Sequence, residues 1–233
     1  MKKIGIIGGL SPESTVSYYK WLNEGVRDRL GGHHSAKILL SSVDFAEFCA
    51  LKEAGDWDTQ AELLADEAQA LQRAGADFLI LATNTMHKHA EKIESMISIP
   101  FLHLADATAR RIQKAGLNAI ALLGTRYTME LDFYKSRLID AGIDVYVPDE
   151  KGVRTVNDII YNELVKGDIR AQSRKEYQNI VLQLAEKGAQ GVILGCTEIT
   201  LLIGQNDVTV PVFDTTRIHV EEALEYAFGG LSI

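Results

Sequence analysis

Short apolar runs closed by Gly, Pro or Asp alternate along this chain with longer stretches in which apolar residues recur at helical spacing. The runs predict strands near Ile4–Ile7, Ile38–Ser41, Phe78–Leu81, Phe101–Leu104, Ala119–Leu122, Val145–Val147, Val192–Leu194 and Val210–Phe213. The stretches between them predict helices over Ser14–Arg29, Thr59–Arg73, Ala105–Lys114, Glu130–Asp140, Val156–Val165 and Arg170–Glu186, with a shorter one over Thr197–Ile203. Gly75, Gly116, Gly142 and Gly188 each fall where a helix stops, the position that favours a left-handed backbone. Strands alternating with helices imply an α/β protein, with parallel sheets covered on both faces. In such sheets ligands bind beyond the carboxyl ends of the strands.

The pattern also repeats. Leu71–Thr83 (LQRAGADFLILAT) aligns with Leu184–Cys196 (LAEKGAQGVILGC) at a shift of 113, matching Leu71, Gly75, Ala76, Ile80 and Leu81 to Leu184, Gly188, Ala189, Ile193 and Leu194. Ile4–Gly8 matches Ile120–Gly124 at 116, Tyr19-Lys20 matches Tyr134-Lys135 at 115, and Pro100 matches Pro211 at 111. Four matches in the same order point to duplication, with small loop deletions in the second copy. In this alignment Thr83 falls on Cys196, each at the end of an apolar run and before a polar pair, Asn84-Thr85 or Thr197-Glu198. Two half-proteins that each place a small proton-bearing side chain at one position imply chemistry on two faces of one substrate.

At 233 residues the chain accommodates two lobes of roughly 100 residues each. Its 24 basic and 32 acidic residues leave a net charge of −8 with no Lys/Arg cluster, which argues against a nucleic-acid partner. No stretch approaches the apolar length of a membrane span, and Met1-Lys2-Lys3 leads into a run too short for a signal-peptide core. Two cysteines, Cys49 and Cys196, make neither a disulfide framework nor a zinc site. The default expectation is a cytoplasmic protein without metal.

Cys196 ends one apolar run and opens a short helical stretch, where unsatisfied backbone N–H groups favour a thiolate. Bringing a thiol from about 8.5 to about 7 takes about 2 kcal/mol, within reach of a helix terminus and one or two hydrogen bonds. The plain alternative is a small core residue, and the pairing with Thr83 tips the balance toward chemistry. Thr83-Asn84-Thr85 suits a helix N-cap, a role compatible with catalysis. Asn84 and Thr85 also offer amide, carbonyl and hydroxyl groups, and nearby backbone N–H groups can bind a carboxylate. Gly8, Gly9, Leu10 and Ser11 form a strand-to-helix turn able to present further N–H groups, and Thr125 and Thr128 mirror it in the second half. His87 lies four residues past Thr83, one helical turn along the same face.

The runs Ala82–His87 (ATNTMH), Gly195–Glu198 (GCTE) and Ile6–Ser11 (IIGGLS) resemble the cofactor-independent aspartate/glutamate racemase family over nearly the whole chain. The resemblance implies two flavodoxin-like lobes related by a pseudo-twofold, with the active site in the cleft between them. It places residues 1–98 with 208–233 in the first lobe and 99–207 in the second. It implies one cysteine from each lobe on either side of the substrate's α-carbon, no pyridoxal phosphate or other cofactor, an amino-acid or dicarboxylate substrate, and a homodimer. Here Thr83 stands where the family's first cysteine usually precedes Asn-Thr, which places the chain with a Thr/Cys subgroup. A hydroxyl is a far weaker acid than a thiol. Cys196 is therefore assigned as base or acid, and Thr83 as a donor or relay acting through water or a neighbour. Because a racemase has equal kcat/KM in both directions, the asymmetry should appear as opposed kcat and KM values or unequal isotope effects.

The resemblance further marks Thr197 and Glu198 beside Cys196 as substrate-binding candidates, Glu198 to hold the substrate amine or assist proton transfer, and two basic residues, Lys52 and Lys166, as candidates for an acidic substrate side chain. Capping is the plain alternative for Glu198, and solvated surface for the lysines. Two other functions stay open. A superfamily member with a single thiol could act as a malonate-type decarboxylase or maleate isomerase. A chain that has lost its first cysteine could also bind an amino acid or carboxylate without turnover.

Overall fold

The first apolar run folds as β1 (Ile4–Gly8), buried along its whole length. Its pleat sends Ile4 and Ile6 into one core and Ile7 into another. After it come α1 (Pro12–Leu30), β2 (Ile38–Ser42), α2 (Phe45–Ala54), α3 (Trp57–Arg73), β3 (Phe78–Leu81), a 3₁₀ turn over Thr85–His89, and α4 (Ala90–Met96). The strands lie parallel in the order β2-β1-β3. One face packs Ile4, Ile6, Phe78 and Ile80 against Tyr18, Leu22 and Val26 of α1. The other packs Ile7, Leu79 and Leu81 against Leu64, Ala68 and Leu71 of α3. Each fully buried aliphatic side chain of this kind contributes about 1.5–3 kcal/mol.

The second half is built alike. It contains α5 (Leu104–Lys114), β4 (Ala119–Gly124), α6 (Arg126–Glu130), α7 (Asp132–Asp140), β5 (Asp144–Tyr146), α8 (Glu150–Asn162), α9 (Ala171–Glu186), β6 (Val192–Gly195), α10 (Ile199–Leu202), β7 (Val212–Asp214) and α11 (Thr215–Phe228). Its four strands are parallel in the order β5-β4-β6-β7. The duplication read from the sequence is thus a duplication of topology, with β1, β2 and β3 answered by β4, β5 and β6. Gly75 and Gly188, matched by the repeat, both close their helices with positive φ, +88° and +118°.

This computed structural model describes residues 1–231, so the last two residues of the expected first lobe, 232–233, lie outside the described residues. The chain divides into Met1–Leu104 with the segment from His219 onward, and Ala105–Ile218. These borders differ from the expected ones at residues 98 and 207. The run Phe101–Leu104, expected as a second-lobe strand, contributes a single parallel bridge, Leu79 to Phe101, at the edge of the first sheet. The run ending in Phe213 pairs with β6 in the second sheet, where the hydrogen bonds of the ladder hold it. Only the part of α11 from His219 onward goes with the first unit, through Val220, Ala223 and Leu224 in its core. The last strand therefore lies in the second sheet, and the last helix from His219 onward goes with the first unit.

Three helices, α2, α4 and α6, were not expected, and α2 is the longest of them. Asp44 caps α2, its carboxylate accepting from the Ala46 N–H at 3.0 Å, while Gly55 ends it in a left-handed turn. Only Phe48 of this helix is buried, so no apolar stripe announced it. Nearby, the buried Gln60 donates to the Phe48 carbonyl at 2.7 Å and accepts from His89 Nε2 at 3.2 Å. Burial lowers His89 from its ordinary 6.5 to about 4, with the Lys88 charge pushing the same way and Asp58 opposing. The folded protein thus holds His89 neutral while the unfolded chain takes up a proton below 6.5. The resulting stability is present above that pH and is lost as pH falls toward about 4. We expect a loss of about 1–2 kcal/mol after allowing for solvent screening. Guanidinium midpoints at pH 7 and 4.5 measure it, and the drop should shrink in His89→Gln. An unchanged drop in that variant would assign the loss to other groups.

Candidate active site

In each unit the chemistry gathers at the carboxyl ends of two neighbouring strands. In the first, β1 runs into Gly9-Leu10-Ser11 and β3 runs into Ala82-Thr83-Asn84. In the second, β4 runs into Thr125 and β6 into Cys196-Thr197-Glu198, with Gly124 and Gly195 paired at the strand ends.

Cys196 is half-buried, and its Sγ donates to Glu198 Oε2 at 2.8 Å. Burial raises the thiol pKa well above the usual value, and the Glu198 carboxylate raises it further by charge and hydrogen bond. The backbone N–H groups of Glu198 and Thr197 pull the other way and are outweighed. This corrects the expectation of a lowered thiol pKa. The helix meant to supply the positive field is a single turn that begins only at Ile199, and a carboxylate stands where the field would act. Cys196 rests as a thiol whose proton already has an acceptor. Around it, Thr200 donates to the Thr197 carbonyl at 2.7 Å, and the hydroxyls of Thr197 and Thr216 lie 3.3 Å apart. Thr215 donates to the Leu194 carbonyl at 3.1 Å, bracing β6 just before the cysteine. The buried Thr125 and Thr128 place their hydroxyls 3.2 Å apart at the end of β4.

Thr83 is half-buried on the loop that follows β3. The preceding residue is held at both polar atoms, its N–H by the Ile7 carbonyl at 2.9 Å and its carbonyl by the Ser14 hydroxyl at 3.0 Å. Asn84 is buried, its carbonyl accepting from the His87 N–H at 3.1 Å, and Thr85 opens the 3₁₀ turn. In the opening loop the Gly9 N–H donates to Thr15 Oγ1 at 2.8 Å, so that donor is used within the fold. Leu10 is buried among apolar residues, and Ser11 caps α1 by accepting from Ser14 N at 3.4 Å.

The two lysines lie in different units. Lys52 sits half-buried in the last turn of α2. Lys166 is exposed at the end of a 3₁₀ turn, Leu164–Lys166, that packs against α10 immediately after the Cys196 loop. That turn is tied down by Glu163, which accepts from Ser173 and pairs with Arg170 at 3.4 Å. The structure therefore brings Cys196, Thr197, Glu198 and Thr125 together in one unit, with Lys166 on an adjacent segment. It brings Leu10, Ser11, Thr83, Asn84 and Thr85 together in the other.

The braces Ser14, Thr15 and Thr215, and Tyr177 at the back of the cysteine, were missed in the sequence. Tyr177 donates to the Val156 carbonyl at 3.0 Å, and burial pushes its phenol up, with Cys196 and Glu163 adding to the effect. The Ser and Thr pattern at the starts of α1 and α11 could have flagged the first three as caps, but the distant acceptors of Ser14 and Thr215 have no sequence signal.

Both units are parallel α/β sheets of one duplicated design, with a cysteine–carboxylate couple at one strand end and a threonine at the matching strand end. The Asp/Glu/hydantoin racemase family profile matches residues 7–223. The chain belongs to that family, and it is accordingly an isomerase of the racemase type. It is similar to the broad specificity amino-acid racemase RacX of Bacillus subtilis, 24% identical over 216 residues that cover 91% of this chain and 92% of RacX. Among solved structures it resembles a candidate Asp/Glu racemase from Yersinia pestis, 51% identical with a TM-score of 0.95, covering 98% of this chain and 100% of that one. An aspartate racemase homologue from Pyrococcus horikoshii is 38% identical with a TM-score of 0.87, again covering 98% and 100%. No helix among the described residues is long and apolar enough to cross a membrane.

Proposed function

We propose that the protein racemises aspartate, glutamate or a related polar amino acid without a cofactor, using Cys196 with Glu198 on one face of the α-carbon and Thr83 on the other. The observation that carries this reading is the 2.8 Å hydrogen bond from Cys196 Sγ to Glu198. When Cys196 works as a base, Glu198 takes the thiol proton and the thiolate takes the α-proton. When it works as an acid, the α-proton leaves on the opposite face through the Thr83 hydroxyl to water or a neighbour, the thiol gives its proton to the carbanion, and sulfur is reprotonated by way of Glu198 once that carboxyl has taken a proton from solvent. The two N–H groups of Thr197 and Glu198 stabilise the sulfur while it is anionic. On the other face the Thr83 hydroxyl gives its proton to the carbanion and is reprotonated through water or a neighbour.

Asn84, Thr85, Thr125, Thr197, Leu10 and Ser11 are the candidates for holding the substrate's α-carboxylate and amine, with Lys52 and Lys166 for an acidic side chain. Homodimerisation belongs to this reading on the strength of the resemblance, and a cytoplasmic address on that of the composition. A chain with one thiol could instead protonate an enediolate after decarboxylation, which makes malonate-type substrates the control.

The test incubates L- and D-aspartate, L- and D-glutamate, a malonate derivative and maleate in deuterated buffer. Proton NMR follows the α-signal and chiral chromatography follows inversion. We expect inversion of at least one amino acid, with unequal primary isotope effects from its two enantiomers. Thr83→Ala should cut inversion about 10²-fold while α-exchange on the cysteine side persists, and Thr83→Cys should raise inversion about 10-fold. Consumption of the malonate derivative or maleate while every amino acid keeps its α-proton would replace the racemase reading.

A further inference from the structure

His87 lies four residues past Thr83 and is 1% exposed. Both ring nitrogens have defined partners within the first unit. The Leu104 N–H donates to His87 Nε2 at 3.2 Å, so Nε2 carries a lone pair. The proton of the neutral ring is then on Nδ1, which faces the Thr83 carbonyl oxygen at 2.7 Å. The ring is packed edge-to-face on His103, centroids 4.6 Å apart, and on His219 at 5.8 Å. His219 is itself fixed between the Tyr18 hydroxyl and the Leu102 carbonyl, both at 2.8 Å.

We infer that His87 is a positioning residue for Thr83: an imidazole locked as the Nδ1–H tautomer clamps the Thr83 carbonyl and so aims its hydroxyl. This rests on the reading of Thr83 as the second proton-transfer group. The geometry also rules out the more obvious role, because the Nδ1 proton is spent on the carbonyl oxygen and Nε2 is capped by a backbone N–H. His87 is therefore no acid or base for the hydroxyl. With the Ser14 bond to the Ala82 carbonyl, two consecutive carbonyls on the loop are fixed by side chains from different elements. The second unit has no counterpart. The position matching His87 at a shift of 113 is Thr200, whose hydroxyl donates to the Thr197 carbonyl instead. A secondary hydroxyl offers one weak donor, so its direction must be set more tightly than that of a large, polarisable thiol. The histidine supplies that restraint on the threonine side only.

The first experiment needs no substrate. Nitrogen-15 imidazole spectra of the whole protein at pH 7 should show His87 neutral with the proton on Nδ1, and an Nε2–H or doubly protonated ring overturns the proposal. The second compares His87→Leu, which removes the donor, with His87→Asn, which keeps an N–H near the Nδ1 position. Both are assayed in deuterated buffer on L- and D-aspartate and L- and D-glutamate. We expect inversion to fall about 10²-fold in His87→Leu while α-exchange with retention on the cysteine side changes less than about threefold, with His87→Asn recovering part of the inversion. Equal losses of exchange and inversion are what a general loss of fold gives, and they overturn the proposal. Normal inversion in Thr83→Ala would defeat the reading of Thr83 itself. Loss in Thr83→Ala with normal inversion in His87→Leu would defeat only the clamp.

Discussion

Cys196→Ala is expected to lose both α-proton exchange and racemisation, by about 10⁴-fold, the upper end of what a positioned proton-transfer group supplies. The expectation follows from the asymmetry between the two sides. Thr83 has a hydroxyl whose free anion is too costly to form at neutral pH, so it opens the reaction only as a slow relay to water or a neighbour. The thiol is the side that removes the α-proton of one enantiomer and must protonate the carbanion formed from the other. Deleting the sulfur also strands Glu198, whose carboxylate then has no proton to take at that position. Proton NMR in deuterated buffer reads the result with both enantiomers. Full exchange in the variant would move the base elsewhere. Exchange retained for one enantiomer only would assign the first step for that enantiomer to the Thr83 side.

Glu198→Gln should separate reactivity from catalysis. In the native protein the thiol is held in its protonated form by burial first and by the Glu198 carboxylate second. Replacing the carboxylate with a neutral amide removes a like charge from beside the thiolate, so the pKa of Cys196 falls, although burial still holds it up. At a given pH more thiolate is present, and iodoacetamide should label Cys196 faster, measured in a Cys49→Ser background. Turnover should nevertheless drop about 10³-fold, because no group remains to accept and return the sulfur's proton. The two readouts therefore move in opposite directions. Slower labelling together with slower turnover would make Glu198 a merely structural cap, and unchanged turnover would remove it from proton transfer.

Much of the scaffold was legible because its signals are local. Strand runs such as Ile4–Ile7 and Val192–Leu194 carry enough apolar side chains to demand burial on both faces. The stops at Gly75 and Gly188 need a backbone region that other residues avoid. The repeat was legible for the same reason, since matched strands keep matched apolar residues and matched turns keep glycine. α2 was not legible, because a helix held by its caps and one buried phenylalanine leaves little periodic trace. The borders of the compact units differ from the expected ones because the expectation put Phe101 with the second lobe and the run ending in Phe213 with the first. Which sheet each joins is settled by ladder partners far away in sequence.

The site divides along the same line. The residue types and spacing at Thr83 and Cys196 came from the sequence, since a motif at a strand end is a local object. The protonation state of Cys196 did not. A sequence shows the N–H groups that follow a cysteine but not how deeply the thiol sits or where a carboxylate two residues on will point, and those two quantities decided the sign. His87 shows the same limit. Its distance from Thr83 along the chain was plain, but its tautomer depends on the Leu104 N–H, seventeen residues further on.

By itself, then, the sequence determined the duplicated α/β plan, the family and the pair of residues that differ between the copies, because each is written in local pattern. The tertiary structure alone decided which strand joins which sheet, that the cysteine rests protonated against Glu198, and that a histidine clamps the Thr83 carbonyl. Those outcomes depend on burial and on hydrogen-bond partners that only folding brings within reach.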